Sequence, residues 1–248
     1  MFCATGNPIT GEHVFAEWIH DMLGPSVGEL FRSSTENVAR WNVTGRSSQG
    51  KVWRVCASCN NEWMSRLEAR AKRTLAAMIR DISIPLDRED QALIAQWAMK
   101  TAMVCEASNP PEHWFYTEAE RDHLRALLSL PSDSFVWIGR YARSDLGINE
   151  SRKLYRTESK DRDILGEGFS TAFVIAHLVI QVATVRRDRG GPEDRAPELR
   201  HRLGRWSPYL TQIWPTRAPF SWPPSSSFMT EEALEILYRR FTPNRPTG

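Results

Sequence analysis

The chain has no apolar run near the roughly 18 to 20 residues that a membrane-spanning helix needs. A membrane role is excluded on that reading. It also has few cysteines, four in 248 residues, too few for a disulfide-built scaffold. Charge of one sign is missing too: 32 Lys and Arg face 30 Asp and Glu, a net of +2, so the molecule is no general polycation. Any nucleic-acid contact must come from local clustering of basic residues. The first fifteen residues show no basic n-region, and Glu12 and His13 stand where a signal peptide would be apolar. The expectation is a cytoplasmic protein. No internal repeat is present.

What remains is the composition of a globular protein, 41% hydrophobic and 25% charged, with ten tryptophans. The length allows one large domain or a small module joined to a larger one, and the second arrangement is expected, with a boundary near residue 82. Arg outnumbers Lys several-fold, which fits codon bias and also fits phosphate recognition through the planar guanidinium.

Hydrophobic spacing and turn residues divide the chain. The pattern predicts a short helix over residues 13–22, stopped by Leu23-Gly24-Pro25, and a loop or hairpin over the polar residues 26–50. Residues 51–55 alternate polar and apolar as a strand does. Over residues 60–82 the apolar positions Trp63, Met64, Leu67, Ala71, Leu75, Met78 and Ile79 recur at helical spacing, with Asn60 or Asn61 as N-cap. Further helices are predicted over 87–107, 117–130 and 230–241, and strands over 134–141, 152–157, 169–177 and 178–185. Asp87 caps one helix, and Thr117 with Glu120 has capping-box spacing. Residues 186–205 read as an exposed loop, and the Pro- and Trp-rich residues 213–224 as irregular but packed.

Two short segments carry the chemistry. Cys56 and Cys59 form a Cys-x-x-Cys turn, which sets two sulfurs on one side of a metal, and a four-coordinate zinc needs further ligands. Cys3, in a run with knuckle-loop turn chemistry, supplies a third. Some forty residues before the knuckle stands Gly11-Glu12-His13-Val14-Phe15, an acid beside an imidazole that titrates near neutral pH. Arg66, Arg70 and Arg73 line one face of the helix at i, i+4 and i+7. Such a face is either simply solvated or able to track a phosphate backbone.

The Glu-His-Val-Phe segment and the later Cys-x-x-Cys-Asn-Asn-x-Trp-Met segment together resemble the HNH endonuclease family, over about residues 3–80. The resemblance implies an α+β protein: a treble-clef-like HNH module of ββα-metal type over residues 1–82, then a mixed helical and antiparallel-β domain of unknown role over 83–248. It implies His13 as the general base, Glu12 and Asn60 as ligands of a catalytic Mg²⁺ or Mn²⁺ ion, and Cys3, Cys56 and Cys59 on a structural Zn²⁺. DNA is the implied partner, with Arg66, Arg70 and Arg73 along its backbone. The family's middle Asn falls near Lys51, where this chain has none, and Asn42 lies too early. The partner of Cys3 would fall one position before Met1. Either the true start lies upstream, a GTG valine codon having been read as initiator, or the three thiolates are completed by another group or water. Two other functions fit the same residues: a catalytically silent zinc-binding nucleic-acid module, and an interaction protein of a phage or defence system.

Overall fold

The computed structural model describes residues 1–3, 8–24, 30–33, 51–143, 148–158, 164–187, 209–224 and 228–239. The architecture is mixed α and antiparallel β, as the α+β expectation has it at that level. Strands β1 (Ile9–His13) and β3 (Lys51–Cys56) pair antiparallel, with Glu12 opposite Val52 and His13 opposite Lys51. The register slips between Thr10 and Glu12, at Gly11. A Cβ on Gly11 would lie 3.1 Å from the Trp53 ring, so the bulge keeps the indole against the strand.

The short helix α1 (Glu17–Leu23) begins four residues later than its spacing predicts, and His13 is the last residue of a strand instead. The apolar run Val14-Phe15-Ala16 is buried as a connection, which mimics a helical start in sequence. A strand β2 (Leu30–Ser33) lies in the predicted loop; most of residues 26–50 fall outside the described residues.

From the end of β3 a continuous helical run goes through α2 (Ala57–Cys59), a π-helical turn (Asn60–Met64) and α3 (Ser65–Ile79). It begins three residues before the expected cap. Asn60 therefore lies inside the helical run and is no N-cap. The π turn admits one extra residue per turn, and it buries both Trp63 and Met64. Chain reversal at Arg80 leads through β4 (Ile84–Leu86) to α4 (Arg88–Glu106), where Asp87 and Asp90 complete a capping box. α3 packs against α4, and α4 lies against β8 and β9 of the main sheet. A single 3₁₀ turn, Pro111–His113, precedes α5 (Glu118–Leu127), which has the expected Thr117–Glu120 box.

The main sheet comprises β2, β6 (Ile148–Glu158), β7 (Ile164–Ile175), β8 (Leu178–Arg187), β5 (Ser134–Arg140) and β9 (Thr211–Trp214), in that spatial order. Among the described strand pairs of this sheet, only β2–β6 is parallel. Strand alternation sends Phe173, Ile180, Val182, Val136 and Ile138 into the core shared with α3 and α4. Val174, Val179, Trp137 and Ala183 face the other way, toward Leu234 and Leu237 of α6 (Glu231–Arg239). The sheet is thus covered on both faces.

The Pro- and Trp-rich segment contains two short strands where only irregular structure was expected, β9 and β10 (Phe220–Trp222), the latter paired with β4. Gln91, buried on α4, fastens it: the amide donates to Leu86 O and Ala218 O and accepts from Arg217 N. One hydrophobic cluster runs from Phe2 through α3, α4 and the sheet to Trp222. Among the described residues, no helix is long and apolar enough to cross a membrane.

Candidate metal centre

Phe2 is buried edge-on against Trp63, ring centroids 5.2 Å apart, and this contact brings the first residues of the chain to the start of the helical run. Ala57 N donates to Pro8 O from the same side. Cys3 Sγ then lies 3.1 Å from Cys56 Sγ, and the Cys59 thiol donates to Cys3 Sγ at 3.4 Å. The three sulfurs lie within 4.8 Å of one another and could hold a metal ion. None of the chain's cysteines forms a disulfide.

The electrostatics of the three thiols fit a cation. Burial opposes ionisation of Cys56, but hydrogen bonds from Ser58, Cys3 and Cys59 outweigh it and bring the thiol down to about 6. Burial pushes the Cys59 thiol up to about 12, and the neighbouring sulfurs add to that. The Trp63 indole N–H favours the Cys59 thiolate from close by, without the geometry of a full hydrogen bond. Cys56 is the sulfur that ionises readily, and ionisation of Cys59 beside it needs a positive charge in their midst. A divalent ion of thiolate preference supplies that charge. Cys105, buried on α4 away from this group, is the small hydrophobe its setting predicts.

Glu12 and His13 close the strand that faces the knuckle. Successive strand residues point to opposite faces. Glu12 is buried, 5% exposed, and His13 is half-buried. The Glu12 carboxylate meets Lys100 of α4, whose Nζ lies 3.4 Å from Glu12 Oε1 and 2.7 Å from Glu68 Oε1 of α3. Burial raises the pKa of Glu12, and Lys100 opposes that. Burial likewise works against the Lys100 charge, but Glu68 and then Glu12 outweigh it and hold the ammonium above its ordinary range. His13 is pushed below the ordinary imidazole value of 6.5, first by burial and then by Lys51. Its Nε2 is buried, and among the described residues it has no hydrogen-bond partner.

Asn60 Nδ2 donates to Thr10 Oγ1 at 3.1 Å, and Thr10 Oγ1 donates to Val55 O. The amide thereby ties the π turn to β1 two residues before Glu12, with its oxygen left as an acceptor. Arg66, Arg70 and Arg73 are all exposed on the outer face of α3, joined by Lys72, whose Nζ sits 5.6 Å over the Trp18 ring. The structure therefore brings the three sulfurs together, sets Glu12 and His13 on one strand, and places Asn60 at that strand's near end.

Glu68 and Lys100 have no place in the sequence reading of the site. A signal for Lys100 exists: it is a lone charge within Trp97-Ala98-Met99-Lys100-Thr101-Ala102-Met103, a stretch that is buried throughout. A charge at a core position needs a partner of opposite sign. Comparison of the chain with family models, with curated proteins and with solved structures returns no match. The functional reading rests on the chain's own residues.

Proposed function

We propose that the chain is a metal-dependent endonuclease of the HNH type that hydrolyses phosphodiester bonds in DNA. One observation carries the reading: the Glu12-His13 pair ends a strand hydrogen-bonded to the strand that delivers Cys56 and Cys59 to Cys3. Two antiparallel strands followed by a helix, with a thiol cluster at the helix start, are what a ββα-metal module with structural zinc requires.

In this reading Cys3, Cys56 and Cys59 hold zinc and join the first residues to the helix. Glu12 and the Asn60 amide oxygen hold the catalytic magnesium or manganese ion, hard oxygen donors for a hard cation. That ion, when bound, supplies positive charge for the scissile phosphate and the leaving oxygen. His13 acts on the water. Burial favours the neutral imidazole, so at neutral pH His13 accepts the proton of the water that attacks phosphorus, and the P–O bond to the leaving oxygen breaks. Arg66, Arg70 and Arg73 contact the phosphates on either side.

The test is nicking of supercoiled plasmid by the zinc-loaded chain with magnesium or manganese, beside its His13→Ala variant. Nicking that needs the divalent ion and vanishes with His13 supports the enzyme. Nicking that survives in His13→Ala rejects His13 as base.

A second reading, a zinc-binding nucleic-acid module without catalysis, is favoured by the Glu12–Lys100 ion pair, which already engages the carboxylate. It predicts salt-dependent DNA binding and no cleavage under any divalent ion.

A further inference from the structure

Glu68 and Lys100 are used by none of the roles above, yet Lys100 reaches Glu12, the residue beside His13, and Glu68 holds Lys100. Lys100 has no exposed side-chain surface and two carboxylate partners, each on a different element: Glu68 on α3 and Glu12 on β1. The contacts are unequal. At 2.7 Å the bond to Glu68 is a full charge-assisted hydrogen bond, whereas Glu12 at 3.4 Å is held more loosely and through Oε1 alone. Pairing with Glu68 already satisfies the lysine's charge, and an apolar side chain of similar volume would fill the same place without any ion burial. The additional consequence of having a lysine here is that one Glu12 oxygen is oriented from inside the core.

We infer that Lys100 is a positioning residue of the site proposed above, with Glu68 as its anchor. Lys100 holds Glu12 Oε1, so the carboxylate presents its other oxygen to the divalent ion in a fixed direction. Groups that orient a metal ligand from behind set the affinity of the metal. This inference rests on the nuclease reading and concerns the same site.

The test uses the full zinc-loaded chain and follows manganese binding by electron paramagnetic resonance titration, in the wild type and in Lys100→Met, Glu68→Gln and His13→Ala. Zinc content and melting temperature are recorded for each, so that loss of fold is seen separately. The wild type is expected to bind one manganese ion beyond its zinc. Lys100→Met is expected to weaken that binding by about 10- to 100-fold. Glu68→Gln shifts it in the same direction by less, and His13→Ala leaves it unchanged.

A folded, zinc-loaded Lys100→Met that binds manganese as well as the wild type or better overturns the positioning role alone. Should Lys100→Met fail to fold, Glu68→Gln decides by the same criterion. A wild type that binds no manganese overturns the catalytic ion site, and the role of Lys100 with it.

Discussion

Cys3 Sγ lies 3.1 Å from Cys56 Sγ although 53 residues separate them in the chain. A metal ion held there joins the first residues to the helical run, and its binding energy becomes folding energy. At a zinc concentration 100 times Kd, the contribution is about 2.7 kcal/mol. For a chain of this size that is a melting temperature higher by about 5 to 11 °C. Chelation of the purified protein, or Cys59→Ser, should lower the melting temperature by that order, and elemental analysis should find one zinc per chain before chelation. An unchanged melting temperature with no zinc found would remove the metal from the account.

His13 has a depressed pKa, by burial first and Lys51 second. A base works in its deprotonated form, so a lower pKa keeps it active further into acid. The acid limb of the nicking rate at saturating magnesium should therefore fall below pH 6.5, the ordinary imidazole value. Lys51→Gln removes a nearby positive charge and should move that limb upward. Lys51 is exposed, so added salt should shrink the difference between the two profiles. A limb above pH 6.5 in the wild type would contradict the buried, neutral base.

The exposed face of α3 makes a prediction about DNA binding that does not depend on catalysis. If Arg66, Arg70 and Arg73 each neutralise a phosphate, the triple replacement by Ala should reduce the salt slope of log K by about 2.7. Fluorescence anisotropy across a salt series measures it. The loss should be uniform over DNA sequences, since phosphate contacts carry no base information. An unchanged slope would mark the face as merely solvated.

Glu106 and Arg121 form the most enclosed ion pair among the described residues, more so than either pair of Lys100. Arg121 Nη2 donates to Glu106 Oε2 at 2.6 Å, and the carboxylate also accepts the backbone N–H groups of Phe115 and Tyr116. Glu106→Ala leaves an uncompensated guanidinium and two unpaired amides in the core, at a cost of about 3 to 5 kcal/mol. The melting temperature should fall by about 6 to 20 °C. Glu106→Leu with Arg121→Met should recover a large part of that loss, because the stranded charge goes with its partner. A double variant as unstable as the sum of its singles would contradict the coupling.

Much of the fold is legible from local signals. Asp87 with Asp90 and Thr117 with Glu120 mark helix starts within three residues, because a cap satisfies amides that lie that close. Strand alternation over 134–141 and 169–185 reports a sheet whose pleat repeats every two residues. The same reasoning misplaces residues 13–22: Val14, Phe15 and Ala16 are apolar because the connection between strand and helix is buried, and helical spacing is imitated by chance. The strands β9 and β10 escape notice for a related reason, since their pairing partners β5 and β4 lie far away in sequence.

The site divides along the same line. The Cys56-x-x-Cys59 turn, the Glu12-His13 pair and the arginine face of α3 are set by spacing of a few residues, and the sequence alone determines that they exist. That Cys3 joins the knuckle is expected from the sequence too, whereas which face Glu12 turns to the core, and that Lys100 reaches it across 88 residues, were decided by the tertiary structure. The reason is physical. Hydrogen bonds and side-chain periodicity act over one or two turns of chain, whereas the partner of a buried charge is chosen by which elements pack together and exclude water around it.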